Sequence, residues 1–456
     1  MHAGGQVVLP SLFYSHMKPL RILLVLVLAL MCACKPSEQP SQGGTAPSIT
    51  AKGLPVFYEA NPKLFASTKS LPAIESQLDR IKGMGCDILW LMPIHEFGQK
   101  NAVGSPYCIR DYKSVNSSYG TLSDLKSLVQ KAHAKDMKVL LDWVANHTSW
   151  DHAWITAHPD WYTQEGGVII SPKGMGWNDV ADLNYASTPM RSAMKEAMLY
   201  WVTEADVDGF RCDYADGVPH DFWKDAISAV KGKKKDAVFL AESSSRSYLS
   251  DGFDYIYGWP FKTALKALFG GGSVADFATA VTAESASLPE GKHIMRFVTN
   301  HDQASEQSPV AEYKSAQGLL AATAIMAFCG EAGLVYSSQE LGYNSALSFF
   351  NVNVLNWNSN PAFTASFEKI LSLRQAKASL LAGTPKFYSV GDLVVIYHAS
   401  GSKGLLVVVN PTGKAVSAKA PMERIGDKVT DLLTGASTMV PTMLEMGAYE
   451  YKIYEK

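Results

Sequence analysis

The stretch 121–147, TLSDLKSLVQKAHAKDMKVLLDWVANH, decides the fold. Residues 122–137 carry helical periodicity, opened by Thr121 as an N-cap and by Asp124, an acid placed where it complements the helix dipole. Residues 138–143 then form an apolar run of strand length that ends in polar side chains, with Asp142, Asn146 and His147 close together. A strand entered from a helix and left through polar residues is the unit of a parallel sheet, because parallel neighbours need a crossover between them.

The unit repeats in both directions. Strand-length apolar runs occur at 56–58, 87–92, 138–143, 209–213, 238–241, 253–257, 293–298 and 333–336. Helical periodicity fills most gaps, at 73–84, 122–137, 189–205, 219–232, 313–328 and 361–376, with Thr188 the expected N-cap ahead of Pro189. These units predict an α/β fold, a (β/α)8 TIM barrel over 54–376. Two regions depart from the alternation. Residues 148–187 hold Gly, Pro and Trp without helical period and predict a short inserted domain after the third strand. Over 377–456 short strands at 393–399, 405–410 and 448–454 alternate with Gly-rich turns, which predicts a C-terminal β-sandwich domain.

Residues 1–53 read as an address. Lys18 and Arg21 precede an apolar run over 22–31, too short to span a bilayer and of the length of a secretory h-region. The run ends in Met31-Cys32-Ala33-Cys34, which resembles a bacterial lipobox with Cys34 as the lipidated residue; ordinary cleavage near Ala33 is the alternative. The expectation is a signal peptide over 1–34 with Met17 as the natural start, a flexible tether over 35–53, and an exported cell-envelope lipoprotein held to a membrane by its N-terminal lipid.

The chain of 456 residues has net charge −2 and no long run of one sign, which argues against a nucleic-acid partner. Charged residues at 18% and aromatics at 11% exclude disorder, collagen and coiled coil, and a monomer is expected. Cys86, Cys108, Cys212 and Cys329 show no C-x-x-C pairing, which argues against zinc and leaves buried thiols or wide disulfides. Trp90 and Trp143 read as core, while Trp161, Tyr162 and Trp177 read either as the core of the inserted domain or as platforms for sugars. The four lysines over 231–235 read as a solvated helix end.

In a parallel barrel the C-terminal strand ends share one face, so polar residues after the apolar runs are the catalytic candidates. Asp142 ends the third strand, Arg211 and Asp213 the fourth, Glu242 the fifth, and Asn300, His301 and Asp302 the seventh. Asp213, Glu242 and Asp302, three acids at one mouth, suit glycoside hydrolysis, in which one carboxyl protonates the leaving oxygen and an ionised one attacks the anomeric carbon. Arg211 shares a strand face with Asp213 and is placed to keep it ionised. A divalent metal site or a structural ion network fits the same acids.

At these residues the chain closely resembles the α-amylase family of glycoside hydrolases, whose four signature regions all occur in order. The resemblance implies Asp213 as nucleophile, Glu242 as general acid/base, and Asp302 as the acid that holds the sugar hydroxyls and stabilises the transition state. It implies Arg211, His147 and His301 as contacts to the sugar at the cleavage point, Tyr107 as the aromatic platform beneath it, and Asp142 and Asn300 as structural neighbours. Val180 to Asn184 resembles the family's fifth signature, and Val335-Tyr336 with Gln339-Glu340 its eighth-strand end. Asn146 and Asp182 match family calcium ligands, but Asp216 and Gly217 stand where many members carry Lys and His, so the calcium set lacks a ligand. No organic cofactor is implied. The expected activity is a retaining hydrolase of α-1,4-glucans such as starch, glycogen or maltodextrins. Glucan transfer by the same residues, or an inactive glycan-binding protein, are the alternatives.

Overall fold

All eight apolar runs become strands, and each pairs in parallel with its sequence neighbours until the first, Val56–Ala60, closes on the eighth, Ala332–Tyr336. This barrel is seen in a computed structural model that describes residues 54–381 and 383–456. The signal peptide, Cys34 and the tether lie outside the described residues. Among the described residues, no helix is long and apolar enough to cross a membrane.

The closed sheet separates two apolar layers by simple alternation along each strand. Leu140 points into the barrel with Phe57, Ile88, Leu240 and Met295, while its neighbours Val139 and Leu141 face the surrounding helices. Gly209 opens the fourth strand, Gly209–Cys212, at φ 137°, where a Cβ would lie 1.9 Å from the Val238 carbonyl oxygen. Only glycine lets the fourth strand approach the fifth, Val238–Ala241, so closely.

Thr121 and Asp124 form the expected capping box on helix Leu122–His133. Elsewhere the helices differ from the sequence reading in detail. The segment over 73–84 is two helices, Ser70–Glu75 and Leu78–Gly83. The cap of helix Thr188–Glu204 is Ser187, whose side chain accepts from the Met190 N–H, and Thr188 is already helical. Two helices, Trp259–Phe269 and Val274–Ser285, fill the gap after the sixth strand, Tyr255–Tyr257, where none was read. The second buries only Phe277 and Val281, too sparse a stripe to declare itself. Nor are the lysines near 231–235 simply solvated: Lys231 donates to Asp254, and Lys234 contacts Asp206 and Asp208.

The inserted region is a small layer of its own. His147–Ser149 pairs antiparallel with Val180–Asp182, around helix Ala153–Ala157 and a hairpin of Gln164–Glu165 with Val168–Ile169. Trp161 and Tyr162 are buried within it, whereas Trp177 faces the barrel mouth. The tail forms a six-stranded antiparallel sheet packed over a two-stranded one through Leu393, Val395, Val408 and Leu444. Its last strand begins at Tyr451, later than the sequence suggests. His398 docks this tail on the barrel, with Nε2 2.8 Å from the Phe328 carbonyl oxygen. Cys86, Cys108, Cys212 and Cys329 are free, buried thiols.

Candidate active site

Arg211 organises the mouth of the barrel. Fully buried on the fourth strand, its Nη1 donates to Asp142 Oδ1 at 2.8 Å and to Asp213 Oδ1 at 2.9 Å, and its Nη2 lies 2.6 Å from Glu242 Oε1. Register explains the convergence: Cys212 pairs with Trp143 on one side and Ala241 on the other, so Asp213 and Glu242 leave adjacent strands at one level. The rings of Trp90, Tyr107 and Tyr257 surround the guanidinium at 5.0, 5.8 and 5.6 Å. Trp90 is core, as its sequence context suggests, but its Nε1 also donates to Asp142 Oδ2 at 3.1 Å.

The seventh strand, His293–Phe297, delivers the opposite wall. Asn300 caps the following helix by accepting from the Gln303 N–H at 3.0 Å, which sets His301 and Asp302 in its first turn. His301 Nε2 lies 2.9 Å from the Tyr107 hydroxyl and 3.3 Å from Asp302 Oδ1, and the Tyr107 ring stacks on His301 at 24°. Asp302 keeps 41% of its side chain exposed and open to a ligand. His147 is buried beside Trp177, 5.5 Å between ring centres, and burial lowers its ring to about 4, so it is neutral at pH 7.

Burial dominates the acids. It raises the Glu242 carboxyl, with Asp213 and Asp302 adding to the effect and Arg211 opposing it. Asp142 and Asp213 are also raised by burial. Arg211 does pull Asp213 down, as its placement suggests, but burial outweighs that pull. Tyr214, directly after Asp213, adopts the left-handed region at φ 39°, ψ 55° and in that strained form donates its N–H to Glu242 Oε2 at 2.7 Å.

These groups enclose a cavity of about 310 Å³ with Trp177, Phe349 and Phe350 on its walls. Four carboxylates line it, from Asp179, Asp213, Glu242 and Asp302, and no Lys or Arg does. Sequence reading missed Glu59, Tyr214, Tyr257 and Phe349. Of these only Glu59 carries a readable signal, a lone acid within an apolar strand.

The family's calcium set is incomplete in side chains here. Asn146 and Asp182 do come together, since the Leu183 N–H bonds the Asn146 carbonyl oxygen at 3.2 Å and Asp182 pairs with His147. The third position fails: a Cβ on Gly217 would lie 2.3 Å from Asn146 Oδ1, so no ligating side chain enters beside that amide. Asp216, next to it, instead accepts from Ser243 Oγ at 2.9 Å. Among the described residues no three His, Cys, Asp or Glu side chains gather as a metal-binding set.

Residues 59–166 and 175–369 match the model of the alpha-amylase catalytic domain. The chain is 29% identical over 407 residues to alpha-amylase MalA of Haloarcula japonica, covering 83% of this chain but 58% of that protein. It is 23% identical over 420 residues to a cyclomaltodextrinase of Geobacillus thermopakistaniensis, covering 85% and 70% of the two chains. Among solved structures, a noncanonic maltogenic alpha-amylase, AmyB from Thermotoga neapolitana, superposes with a TM-score of 0.80 at 27% identity, covering 88% of this chain and 98% of that one.

Proposed function

This chain belongs to the α-amylase family of glycoside hydrolases, and on that premise we propose that it hydrolyses α-1,4-linked glucans by double displacement. Asp213 attacks the anomeric carbon while Glu242 gives its proton to the departing glycosidic oxygen. The C–O bond to the leaving sugar breaks and a glycosyl ester forms on Asp213. Glu242, now ionised, takes a proton from water, and the resulting attack on the anomeric carbon releases Asp213 and restores the acid.

The observation that carries this reading is the placement of Asp213 and Glu242 on adjacent strands at one level, in contact with the same guanidinium. Adjacent strands and a shared guanidinium bring the two carboxyl groups close together, which supports a nucleophile rather than an intervening water. The raised Glu242 supports a proton at neutral pH, contributed by burial and the facing acids. Asp302 is the group assigned to the sugar hydroxyls, Tyr107 to the face of its ring, and His301 and His147 to the sugar at the cleavage point; Arg211, expected there too, is fully buried and does not line the cavity. A cavity rich in carboxylates and free of Lys and Arg favours a neutral substrate over a phosphorylated one. We also infer export and lipid anchoring at Cys34, which Cys34→Ala tests by loss of membrane partitioning.

Incubation with soluble starch and maltoheptaose tests the activity. Release of reducing sugar with only shorter products is expected; longer products identify transfer, and no product at all removes both. Proton NMR of early product from α substrate should show the α anomer, and initial β product overturns the double displacement.

A further inference from the structure

Glu59, the last residue but one of the first strand, is fully buried, yet no step above uses it. Its Oε1 lies 2.6 Å from His301 Nδ1, and its Oε2 has no hydrogen-bond partner. A carboxylate so enclosed is costly unless a cation answers it. The ring it touches is the group in position to do so. At the other ring nitrogen, the Tyr107 hydroxyl donates to Asp142 Oδ2 at 3.1 Å, so its oxygen is left to accept from His301 Nε2 at 2.9 Å. Asp302 Oδ1, 3.3 Å from the same Nε2, can also only accept. Burial raises the Glu59 carboxyl while His301 and Arg211 lower it; with Glu59 ionised, acceptors stand at both ring nitrogens and both carry protons.

We propose that Glu59 is a positioning residue that keeps His301 a doubly protonated cation, fixing its Nε2–H on the wall of the sugar site. The role rests on the function proposed above. It supplies a charged donor toward a substrate hydroxyl and an ionic neighbour for Asp302, in a site whose other buried cation, Arg211, is occupied by three acids. The charged and titratable groups around the ring are Glu59, Tyr107, Asp142, Arg211, Asp213, Glu242 and Asp302. Burial and Arg211 lower its proton affinity, Asp302 and Glu59 raise it, and the balance lies upward at about 9.

The test compares the parent protein with Glu59→Gln and Glu59→Asp. In protein labelled with ¹⁵N-histidine, the His301 resonance is assigned by its loss in His301→Asn. The parent ring should be doubly protonated at pH 7, and its titration should fall by roughly two pH units in Glu59→Gln, with Glu59→Asp recovering part of the shift. The ratio of kcat/KM between Glu59→Gln and parent on maltoheptaose should be near one at pH 5 and fall about tenfold by pH 8, where the uncompensated ring is neutral. A neutral His301 in the parent at pH 7 overturns the proposal even if no variant folds. So does a ratio that is flat across pH in a folded variant. A doubly protonated ring in a protein that acts on no α-glucan leaves the charge pair standing and removes the functional reading instead.

Discussion

The two ends of the barrel bury charge in opposite ways. At the N-terminal ends of the strands, Asp208 is fully buried, but its Oδ2 accepts from the Val139 N–H at 2.7 Å and lies 2.7 Å from His133 Nε2, while Lys234 Nζ sits 2.8 Å from its Oδ1. Across the same end, Arg374 gives its guanidinium to the carbonyl oxygens of Leu54, Ala327 and Glu331. At the C-terminal mouth one guanidinium serves Asp142, Asp213 and Glu242 together. Burial raises acids at both ends, yet at Asp208 the His133 and Lys234 contacts outweigh it and the carboxyl is lowered, whereas the three mouth acids end raised. The cationic charge available to each carboxylate decides the sign: His133 and Lys234 both serve Asp208, while Arg211 is divided among three acids. An acid with its own donors fastens the fold, and acids that share one cation keep a proton affinity that chemistry can use.

The sharpest way to break this contrast is to neutralise one acid at each end. Asp213→Asn should lower kcat on maltoheptaose by about four orders of magnitude while the melting temperature holds or rises, because the change removes a raised, buried acid. A folded variant that keeps more than about a hundredth of the activity removes Asp213 from the nucleophile role. Glu242→Gln should cost about two to four orders of magnitude on the same substrate, with first-step activity restored on glycosyl fluorides, whose leaving group needs no proton. Because the working form of Glu242 is protonated and its carboxyl is raised, the alkaline limb of the parent pH profile should lie above the ordinary carboxylate range and vanish in this variant. Asp208→Asn should leave kcat intact and cost ~1–3 kcal/mol of stability at pH 7. Asp208 is lowered in the fold, so its contribution is present above its unfolded value near 3.9 and is lost as pH falls through the lower folded value. Melting curves of parent and variant should therefore separate at pH 7, begin to draw together below about pH 4 and meet only once pH has passed the lower folded value. A gap that persists in acid assigns the loss to packing rather than charge.

The eight strands were legible because a barrel strand is buried on both faces and reads as an unbroken apolar run. The chemical residues were legible for a related reason: an Asp or Glu at the C-terminal end of an apolar run stands out against it. Glu59 obeys the same rule and escaped it because the reading of its strand stopped at Tyr58. What the sequence concealed depends on tertiary context. Tyr257 reads as an apolar strand residue, and only closure of the sheet brings its hydroxyl 3.2 Å from Arg211 Nε. Helix Val274–Ser285 was hidden because only two of its twelve residues, Phe277 and Val281, are buried. The ambiguity at Trp161 and Trp177 was real, since one is buried in the inserted layer and the other lines the cavity.

Closure of the first strand on the eighth has a consequence for how the protein comes into being. Glu59 and His301 lie 242 residues apart in the chain, and the pairing of Val56 with Gly333 spans further still. A ribosome therefore releases the first wall of the sugar site long before the last, and until the eighth strand emerges the sheet has two open edges and cannot close to hold His301 against Glu59. Contacts of such long sequence separation make for slow assembly. A chain cut short anywhere before Ala332 would not be a weaker version of this protein, because the ring would have nothing to close upon.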